Sequence, residues 1–233
     1  MPMSSYQDRR GEITTYFDRT AAEAWSRLTS NAPVSRVRAT VRAGRDRMRS
    51  TLLDWLPADL SGRRLLDAGC GTGALAVEAA RRGAEVVAID VAPTLISLAQ
   101  ERAPKDLGAG SVRFLVGDMR DPELGRFDHV VAMDSLIHYH CQDVVALLAG
   151  VAERTSGSIL FTYAPRTPLL AAMHAVGQLF PRGDRSPAIE PVGTHTLHRL
   201  IGLEPGLAGW QIGRTLRISR GFYTSQALEL RHP

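Results

Sequence analysis

The most constraining feature of this sequence is a glycine turn between a short apolar strand and an alanine-rich segment. Residues 65–74 read Leu-Leu-Asp-Ala-Gly-Cys-Gly-Thr-Gly-Ala, with glycine at three alternate positions. Glycine adopts backbone dihedral angles that a Cβ atom forbids, and it lets a ligand approach the main chain closely. Open parallel sheets bind nucleotides just beyond the carboxyl ends of such strands. The turn therefore predicts a nucleotide-type pocket in an α/β fold.

Two kinds of nucleotide ligand fit this turn. The pattern from Gly69 to Ala74 satisfies the dinucleotide fingerprint G-x-G-x-x-G/A. The turn also resembles the S-adenosylmethionine (SAM) pocket of class I methyltransferases. Asp67, Asp90 and Asp118 lie at the ends of successive predicted strands. Because a carboxylate beside the first glycine would repel a pyrophosphate and attract an ammonium or sulfonium group, these residues favour SAM. The resemblance further implies that Asp118 accepts a hydrogen bond from the adenine amino group.

Composition indicates one α/β domain with elaborations. Of the 233 residues, 44% are hydrophobic and 22% are charged, as in ordinary globular proteins. The two cysteines, Cys70 and Cys141, exclude a disulfide scaffold and predict a reducing, cytoplasmic setting. We expect no signal peptide and no membrane span, since no apolar run approaches about 18 residues. The net charge is +4, but aromatic residues are only 6% and are not interleaved with the arginines, so no nucleic-acid partner is expected.

Strand and helix patterns alternate along the core, which predicts a parallel sheet with helices on both faces. Strands are predicted at 64–67, 85–90, 112–116, 127–134 and 157–163, and helices at 74–82, 93–102, 142–154 and 194–201. Two final strands, 210–219 and 222–231, are predicted to form an antiparallel hairpin around Arg220-Gly221. A Rossmann-like, seven-stranded sheet that ends in this way resembles a class I methyltransferase and is unlike a dehydrogenase.

A helical arm, residues 1–62, is predicted to precede a SAM-binding domain at 63–233. Residues 1–12 are expected to be mobile, and helical segments are predicted at 13–28 and 34–56. In the second segment Val37, Val41, Met48 and Leu52 recur at helical spacing and predict a buried stripe. An insertion at 164–193 contains an apolar helix candidate, 169–180. Because long insertions often act as lids, we expect this one to cover the acceptor site together with the arm.

A narrower resemblance covers most of the chain from residue 13 to 193. It is carried by Tyr16-Phe17-Asp18 with Trp25, by the run from Val37-Arg38 to Met48, by Asp134-Ser135-Leu136-Ile137-His138-Tyr139, and by Leu179-Phe180-Pro181-Arg182 with Asp184-Arg185 and Pro187. In these segments the chain resembles the magnesium-protoporphyrin IX O-methyltransferases of bacteriochlorophyll and chlorophyll biosynthesis. One departure is Cys70, which lies where many methyltransferases carry alanine. We expect Cys70 to be a small filler residue and not a nucleophile.

The resemblance implies transfer of a methyl group from SAM to one propionate carboxylate of magnesium protoporphyrin IX, giving the monomethyl ester and S-adenosylhomocysteine (SAH). The magnesium would enter within the porphyrin, and no protein-bound metal is expected. Since a propionate is already an anion at neutral pH, positioning and exclusion of water matter more than a general base. The family's catalytic tyrosine and histidine correspond to Tyr16 and His138, which would fix the carboxylate through neutral hydrogen bonds. Axial ligation of the magnesium by His138 or His140 is disfavoured, because a hard cation prefers oxygen.

The turn and the resemblance together give candidate binding residues. Those for SAM are Asp67, Gly69, Cys70, Gly71, Gly73, Asp90, Val91, Asp118, Met119, Asp134 and Ser135. Those for the porphyrin are Arg38, Arg42, Tyr139, Arg166, Arg182 and Arg185. Arginine suits this second role because its planar guanidinium matches a carboxylate. Arg38 and Arg42 are four residues apart and would share one helix face.

Several alternatives stay open from the sequence. The chain would also serve as a SAM-dependent methyltransferase of another apolar acid or of a quinone-pathway intermediate. A non-catalytic porphyrin carrier with a SAM fold, an NAD-dependent oxidoreductase, and acidic turn residues without any ligand are the other interpretations. For the favoured one, the resemblance implies hand-over of the porphyrin from the large porphyrin-binding subunit of magnesium chelatase. We also expect peripheral contact with a membrane surface, because the substrate is flat and amphipathic.

Overall fold

The fold is a seven-stranded mixed sheet covered by helices, seen in a computed structural model that describes residues 3–20, 35–166 and 189–232. The strands are β1 (Arg64–Ala68), β2 (Glu85–Asp90), β3 (Ser111–Val116), β4 (Phe127–Ala132), β5 (Thr155–Tyr163), β6 (Gln211–Arg220) and β7 (Tyr223–Arg231). Their order is β3-β2-β1-β4-β5-β7-β6, and β7 runs antiparallel to both of its neighbours while the other pairs are parallel. The predicted class I methyltransferase sheet, mostly parallel and ending in an antiparallel hairpin, is confirmed.

The described helices form a layer on each face of the sheet. They are α1 (Met3–Thr15), which continues into a π-helical turn (Tyr16–Thr20), α2 (Arg36–Trp55), α3 (Ala74–Arg81), α4 (Pro93–Arg102), α5 (Cys141–Ala152) and α6 (Thr194–Leu203). Helices α2 and α3 contribute to one apolar cluster, and α5 and α6 contribute to the other. Successive residues Leu65 and Leu66 of β1 are both fully buried, in opposite clusters. The central strands are unbroken apolar runs because both faces of the sheet are covered.

Three local expectations are wrong. Residues 3–12 were expected to be mobile but are helical, and the side chain of Tyr6 is buried. Val37 was placed on the buried stripe of α2 but is 49% exposed, because it lies in the first turn of that helix, ahead of the part that packs on the sheet. The hairpin loop is Gly221-Phe222, since Arg220 still pairs with Tyr223.

Other predictions fall outside the described residues. These are Trp25 and the second half of the segment 13–28 in the arm, the helix candidate 169–180, most of the insertion 164–193, and the candidate substrate residues Arg182 and Arg185. The division into an arm at 1–62 and a domain at 63–233 stays a prediction.

Candidate active site

The glycine turn after β1 adopts a backbone that only glycine takes readily. Gly69, Gly71 and Gly73 all have left-handed dihedral angles, with φ of 78°, 55° and 77°. The backbone N–H of Gly69 donates to the carbonyl of Ile89 at 2.8 Å and so fixes the turn beside the end of β2. A Cβ atom on Gly69 would overlap the Cβ atom of Ser135. The turn therefore has the glycine-specific backbone that the sequence predicted, and it packs against Ile89 of β2 and against Ser135, which follows β4.

Asp90 connects this turn to the start of helix α4. Its Oδ2 atom accepts the backbone N–H of Gly71 at 2.8 Å, and its Oδ1 atom accepts that of Ala92 at 3.0 Å. Burial raises the pKa of Asp90 above its ordinary value, although the backbone donors at Ala92 and Gly71 oppose the shift. The carboxylate thus has a fixed orientation at the rim of the site.

Asp67 places a buried carboxylate beside the glycine turn. Its side chain lies at the end of β1 and the residue is 2% exposed, and its Oδ2 atom has no hydrogen-bond partner among the described residues. Burial, and then the neighbouring charge of Asp90, raise the pKa of Asp67 to about 7. The backbone N–H of Ala76 opposes this shift, but the Oδ2 atom stays without a donor in the described part of the chain. Because a buried carboxylate oxygen without a partner is costly, a bound cation would relieve it. The ammonium of an amino-acid ligand such as the methionine part of SAM fits this requirement.

A cavity of about 270 Å³ opens at the carboxyl edge of β1, β2 and β4. Most of the predicted site residues line it, namely Asp67, Gly69, Cys70, Gly71, Asp90, Val91, Met119, Asp134, Ser135, His138, Tyr139 and Arg42. Burial, followed by the nearby charges of Asp67 and Asp90, raises the pKa of the Cys70 thiol, which agrees with its expected role as a filler. The structure therefore brings nine of the eleven predicted donor-binding residues into one space with two predicted porphyrin-binding residues, Tyr139 and Arg42.

Five other predicted residues do not line the cavity. Gly73 lies at the N-terminal end of α3, and Asp118 lies just behind the cavity wall formed by Gly117 and Met119. Arg38 is exposed in the first turn of α2, and Arg166 is exposed after β5. Tyr16 lies in the π-helical turn, half-buried and outside the lining.

The two predicted catalytic residues are connected through Phe17. His138 ends a short 3-10 turn (Leu136–His138), is 6% exposed and lines the cavity. Its ring lies edge-on to the ring of Phe17, with centroids 6.3 Å apart, and the Phe17 ring lies edge-on to that of Tyr16 at 5.2 Å. Phe17 lines the cavity in this structure, whereas Tyr16 does not.

Asp118 is engaged by the N-terminal helix. The hydroxyl of Tyr6 and the backbone N–H of Arg120 each donate to Asp118 Oδ1 at 2.9 Å, and Arg10 Nη1 lies 3.6 Å from Oδ2. The Tyr6 ring stacks on Tyr139 with centroids 5.1 Å apart, and the Arg120 guanidinium lies 3.9 Å from the centroid of the Tyr6 ring. Helix α1 is therefore held across the adenine end of the predicted donor site.

Sequence reasoning missed the arm residues that complete the cavity. Tyr6, Ile13 and Phe17 line it from the N-terminal helix, and Arg45 and Arg49 line it from α2 beside Arg42. The spacing of the arginines, at i, i+3 and i+7 along one helix, was the available signal for Arg45 and Arg49. Nothing in the N-terminal segment itself indicated that its apolar side chains meet a strand edge more than a hundred residues away.

Two searches gave negative results within the described ranges. No three His, Cys, Asp or Glu side chains are placed together so that they could hold a metal ion. None of the helices in those ranges combines the length and the apolar character needed to cross a lipid bilayer.

Comparison with known proteins gives consistent family matches. Residues 132–232 match the family model "Magnesium-protoporphyrin IX methyltransferase C-terminus", and residues 65–156 match a general methyltransferase domain. A magnesium-protoporphyrin O-methyltransferase of Rhodobacter capsulatus is 50% identical over 229 residues, which cover 98% of this chain and 99% of the relative. A ubiquinone biosynthesis O-methyltransferase of Xanthomonas oryzae is 36% identical, but over only 56% of this chain and 58% of the relative.

Solved structures agree with these matches. The crystal structure of magnesium protoporphyrin IX methyltransferase from Synechocystis PCC 6803 with bound SAH has a TM-score of 0.83 and 27% sequence identity. The match covers 96% of this chain and 100% of that chain. It therefore includes the arm and the hairpin as well as the central sheet.

Proposed function

Since the chain belongs to the magnesium-protoporphyrin O-methyltransferase family, we propose that it methylates a propionate carboxylate of magnesium protoporphyrin IX with SAM as donor, in bacteriochlorophyll biosynthesis. The products are the monomethyl ester and SAH. The observation that carries this proposal is the 50% identity to the Rhodobacter capsulatus enzyme over nearly the whole of both chains. The cavity beside the glycine turn is lined by the buried carboxylate of Asp67, whose Oδ2 atom has no partner among the described residues, and this supports a sulfonium donor over a phosphate-bearing one.

SAM, when bound, supplies a methyl group whose bond to the sulfonium breaks, with both electrons going to sulfur, as the propionate oxygen forms the new C–O bond. The residues of this chain bind and orient the reactants. Asp67 and Asp90 would hold the positively charged and polar parts of the donor, and the glycine turn lets it approach the main chain. Burial of the cavity under Tyr6 and Phe17 would exclude water. No general base is required, because the propionate is already ionised at neutral pH.

His138 and Tyr16 would orient the attacking carboxylate. Support for His138 is its place on the cavity wall with low exposure. Support for Tyr16 comes from its position in the Tyr16-Phe17-Asp18 segment of the arm, one residue from the lining side chain of Phe17. A phenol and an imidazole can donate hydrogen bonds to a carboxylate without the strong charge that would weaken its nucleophilicity. For Tyr16 this role requires a movement of the π-helical turn toward the cavity.

Arginines of α2 would bind the second propionate. Arg42, Arg45 and Arg49 line the cavity from the same side. Among them Arg42 is the proposed contact for the second propionate, because it lines the cavity and lies four residues from Arg38 on the same helix. Arg38, Arg166, Arg182 and Arg185 stay as proposed secondary contacts.

The proposal is tested by methyl transfer from isotopically labelled SAM to magnesium protoporphyrin IX. We expect labelled monomethyl ester from the wild-type protein and a loss of at least about 100-fold in kcat for His138→Ala, since misplaced reactants commonly cost this much. Tyr16→Phe should lose less, and SAH affinity should be kept in both variants. Unlabelled porphyrin after incubation with a folded, SAH-binding protein would overturn the proposal. Label on a benzoquinol in place of the porphyrin would support the quinone-pathway alternative.

Two further partners belong to this proposal. We propose that the large porphyrin-binding subunit of magnesium chelatase delivers the substrate, because a flat amphipathic porphyrin is poorly soluble when free. We also propose peripheral contact with an anionic membrane surface. The sequence segments 36–45 and 211–228 support the membrane contact, since they contain no acidic residue and their exposed arginines are Arg36, Arg38, Arg217 and Arg220.

A further inference from the structure

The carboxylate of Asp134 has its hydrogen-bonding capacity filled by protein groups. Its Oδ2 atom accepts from Arg45 Nη1 at 2.7 Å and from the Tyr223 hydroxyl at 3.1 Å. Its Oδ1 atom accepts from the Ser225 and Thr162 hydroxyls and, in a shared contact, from Tyr223, each at 3.1 Å. The side chain of Asp134 is only 4% exposed. A carboxylate offers about four lone-pair sites, so little capacity is left for a ligand's ammonium even though Asp134 lines the cavity.

The backbone of Asp134 is held in an unfavourable conformation. With φ of 53°, it is the one non-glycine residue with positive φ in the described part of the chain. Its N–H donates to Thr162 Oγ1 at 2.7 Å, so both the main chain and the side chain are fixed by β5. Such strain persists only where the surroundings impose it, and it is typical of functional sites.

The groups around Asp134 come from three separate parts of the fold. Arg45 belongs to the arm helix α2, Tyr223 and Ser225 belong to β7, and Thr162 belongs to β5. Asp134 itself opens the segment that leads to His138 four residues later. The carboxylate therefore ties the arm to the segment that carries the proposed catalytic histidine.

Close packing beside the same group sets the position of α2. Gly44 lies against the ring of Tyr223, so that a Cβ atom added to Gly44 would be 2.5 Å from Tyr223 Cδ1. Arg45 follows at the next position and reaches Asp134, while Arg42, one turn earlier, lines the cavity. A shift of α2 relative to β7 would thus move Arg42 and, at the same time, break the ion pair between Arg45 and Asp134.

We propose that Asp134 is a positioning residue for methyl transfer, acting through Arg45 and Tyr223, and that it does not bind the donor. It fixes helix α2 and residues 134–139 relative to each other, so that Arg42 and His138 approach one substrate from fixed directions. The kinetic part of this inference rests on the proposed function. The structural part, coupling of α2 to residues 134–139, does not.

The test is Asp134→Asn, with Asp128→Asn as the matched control at the opposite end of β4. Asp128 accepts hydrogen bonds from the Arg63 side chain and from the backbone N–H of Arg64, and it does not line the cavity. For Asp134→Asn we expect SAH affinity within about threefold of wild type and kcat reduced about 30- to 100-fold, since misplacement by an ångström can cost this much. Asp128→Asn should keep both values. A loss of SAH affinity of more than about tenfold in a folded Asp134→Asn protein would show direct donor binding and overturn the inference.

Tyr223→Phe is the second variant, because removing a buried carboxylate risks misfolding. It removes the hydroxyl donor to Asp134 and keeps the ion pair between Asp134 and Arg45, and we expect a several-fold lower kcat with unchanged SAH affinity.

Hydrogen exchange of the ligand-free proteins gives a readout that needs no substrate. Amides of α2 and of residues 134–139 should exchange faster together in Tyr223→Phe and in Asp134→Asn than in Asp128→Asn. Unchanged exchange in both segments would overturn the inference. If wild type fails to methylate the porphyrin yet the exchange result holds, only the proposed function is refuted.

Discussion

Asp67 is the residue whose ionisation most directly controls the predicted donor site. Its pKa of about 7 means that the carboxylate is only partly ionised near neutrality. Only the ionised form attracts an ammonium, so the affinity for SAH, which keeps the amino-acid part of the donor, should fall roughly tenfold from pH 8 to pH 6. Isothermal titration calorimetry across this range would measure the effect. Binding at pH 6 should release a proton from Asp67, whereas binding at pH 8 should release almost none. The dependence of the binding enthalpy on the buffer's ionisation enthalpy would measure this proton release.

The variant Asp67→Asn separates this effect from general pH sensitivity. It should bind SAH more weakly than wild type at pH 8, with little dependence on pH. The folded-state pKa of Asp67 is raised above its unfolded value, so ionisation removes stability from the ligand-free protein as pH rises from about 4 to about 7. The neutral amide avoids this loss, and the ligand-free variant should melt at a higher temperature than wild type at pH 8. Identical pH profiles for the two proteins would contradict the assignment.

At the scale of elements, helix α1 packs beside the cavity through the contacts of Tyr6 with Asp118 and Tyr139. Tyr6→Ala removes both the hydrogen bond to Asp118 and the stacking on Tyr139. If α1 covers bound donor, SAH should dissociate about 30-fold faster, because an aromatic contact and a buried hydrogen bond each contribute about 1 kcal/mol. Stopped-flow release of SAH would measure the rate. Tyr6→Phe keeps the stacking and should show a smaller increase, and a slower release from either variant would contradict the role of a cover.

Helix α2 depends on a glycine for its approach to the sheet. Replacing Gly44 by alanine normally favours a helix by up to about 1 kcal/mol. Here the added Cβ atom meets the ring of Tyr223 at 2.5 Å, so we expect Gly44→Ala to lower the free energy of unfolding by about 1–3 kcal/mol. Gly150→Ala in α5 is the control, since nothing lies within 4 Å of its added Cβ atom. Chemical denaturation should show destabilisation for the first and equal or higher stability for the second.

These elements also show which parts of the structure the sequence could predict. The glycine turn and the strand ends at Asp67 and Asp90 could be predicted from local patterns. Left-handed dihedral angles require glycine at particular positions, and a buried strand is an apolar run of a few residues, so both are visible within a short stretch of sequence. The bond from Arg45 to Asp134 joins residues 89 positions apart, and that from Tyr6 to Asp118 joins residues 112 apart. Such pairings depend on how the arm packs on the finished sheet. Periodicity within one segment carries no information about them.

At the scale of the whole molecule, the arginine-containing segments 36–45 and 211–228 meet at one edge. The loop Gly221-Phe222 contacts the first turns of α2, since a Cβ atom on Gly221 would overlap Thr40. Because Gln226 of β7 pairs with Tyr163 at the end of β5, this tip lies at the carboxyl edge of the sheet, as the cavity does. Phe222 is 59% exposed there and Val37 is 49% exposed. Apolar side chains among arginines are typical of a surface that binds anionic lipid.

The proposed membrane contact therefore predicts a specific loss. Each arginine near an anionic bilayer contributes about 1 kcal/mol, so Arg36→Ala with Arg220→Ala should weaken binding to phosphatidylglycerol-containing vesicles about 30-fold, as measured by co-sedimentation. The matched control is Arg63→Ala with Arg126→Ala, which removes the same charge from exposed positions just before β1 and β4, at the opposite edge of the sheet. Binding of wild type should also fall as salt rises from 50 to 300 mM, because the Debye length then shortens below about 10 Å. Equal losses in the two double variants would mean that net charge alone, and not this edge, attracts the protein to the membrane.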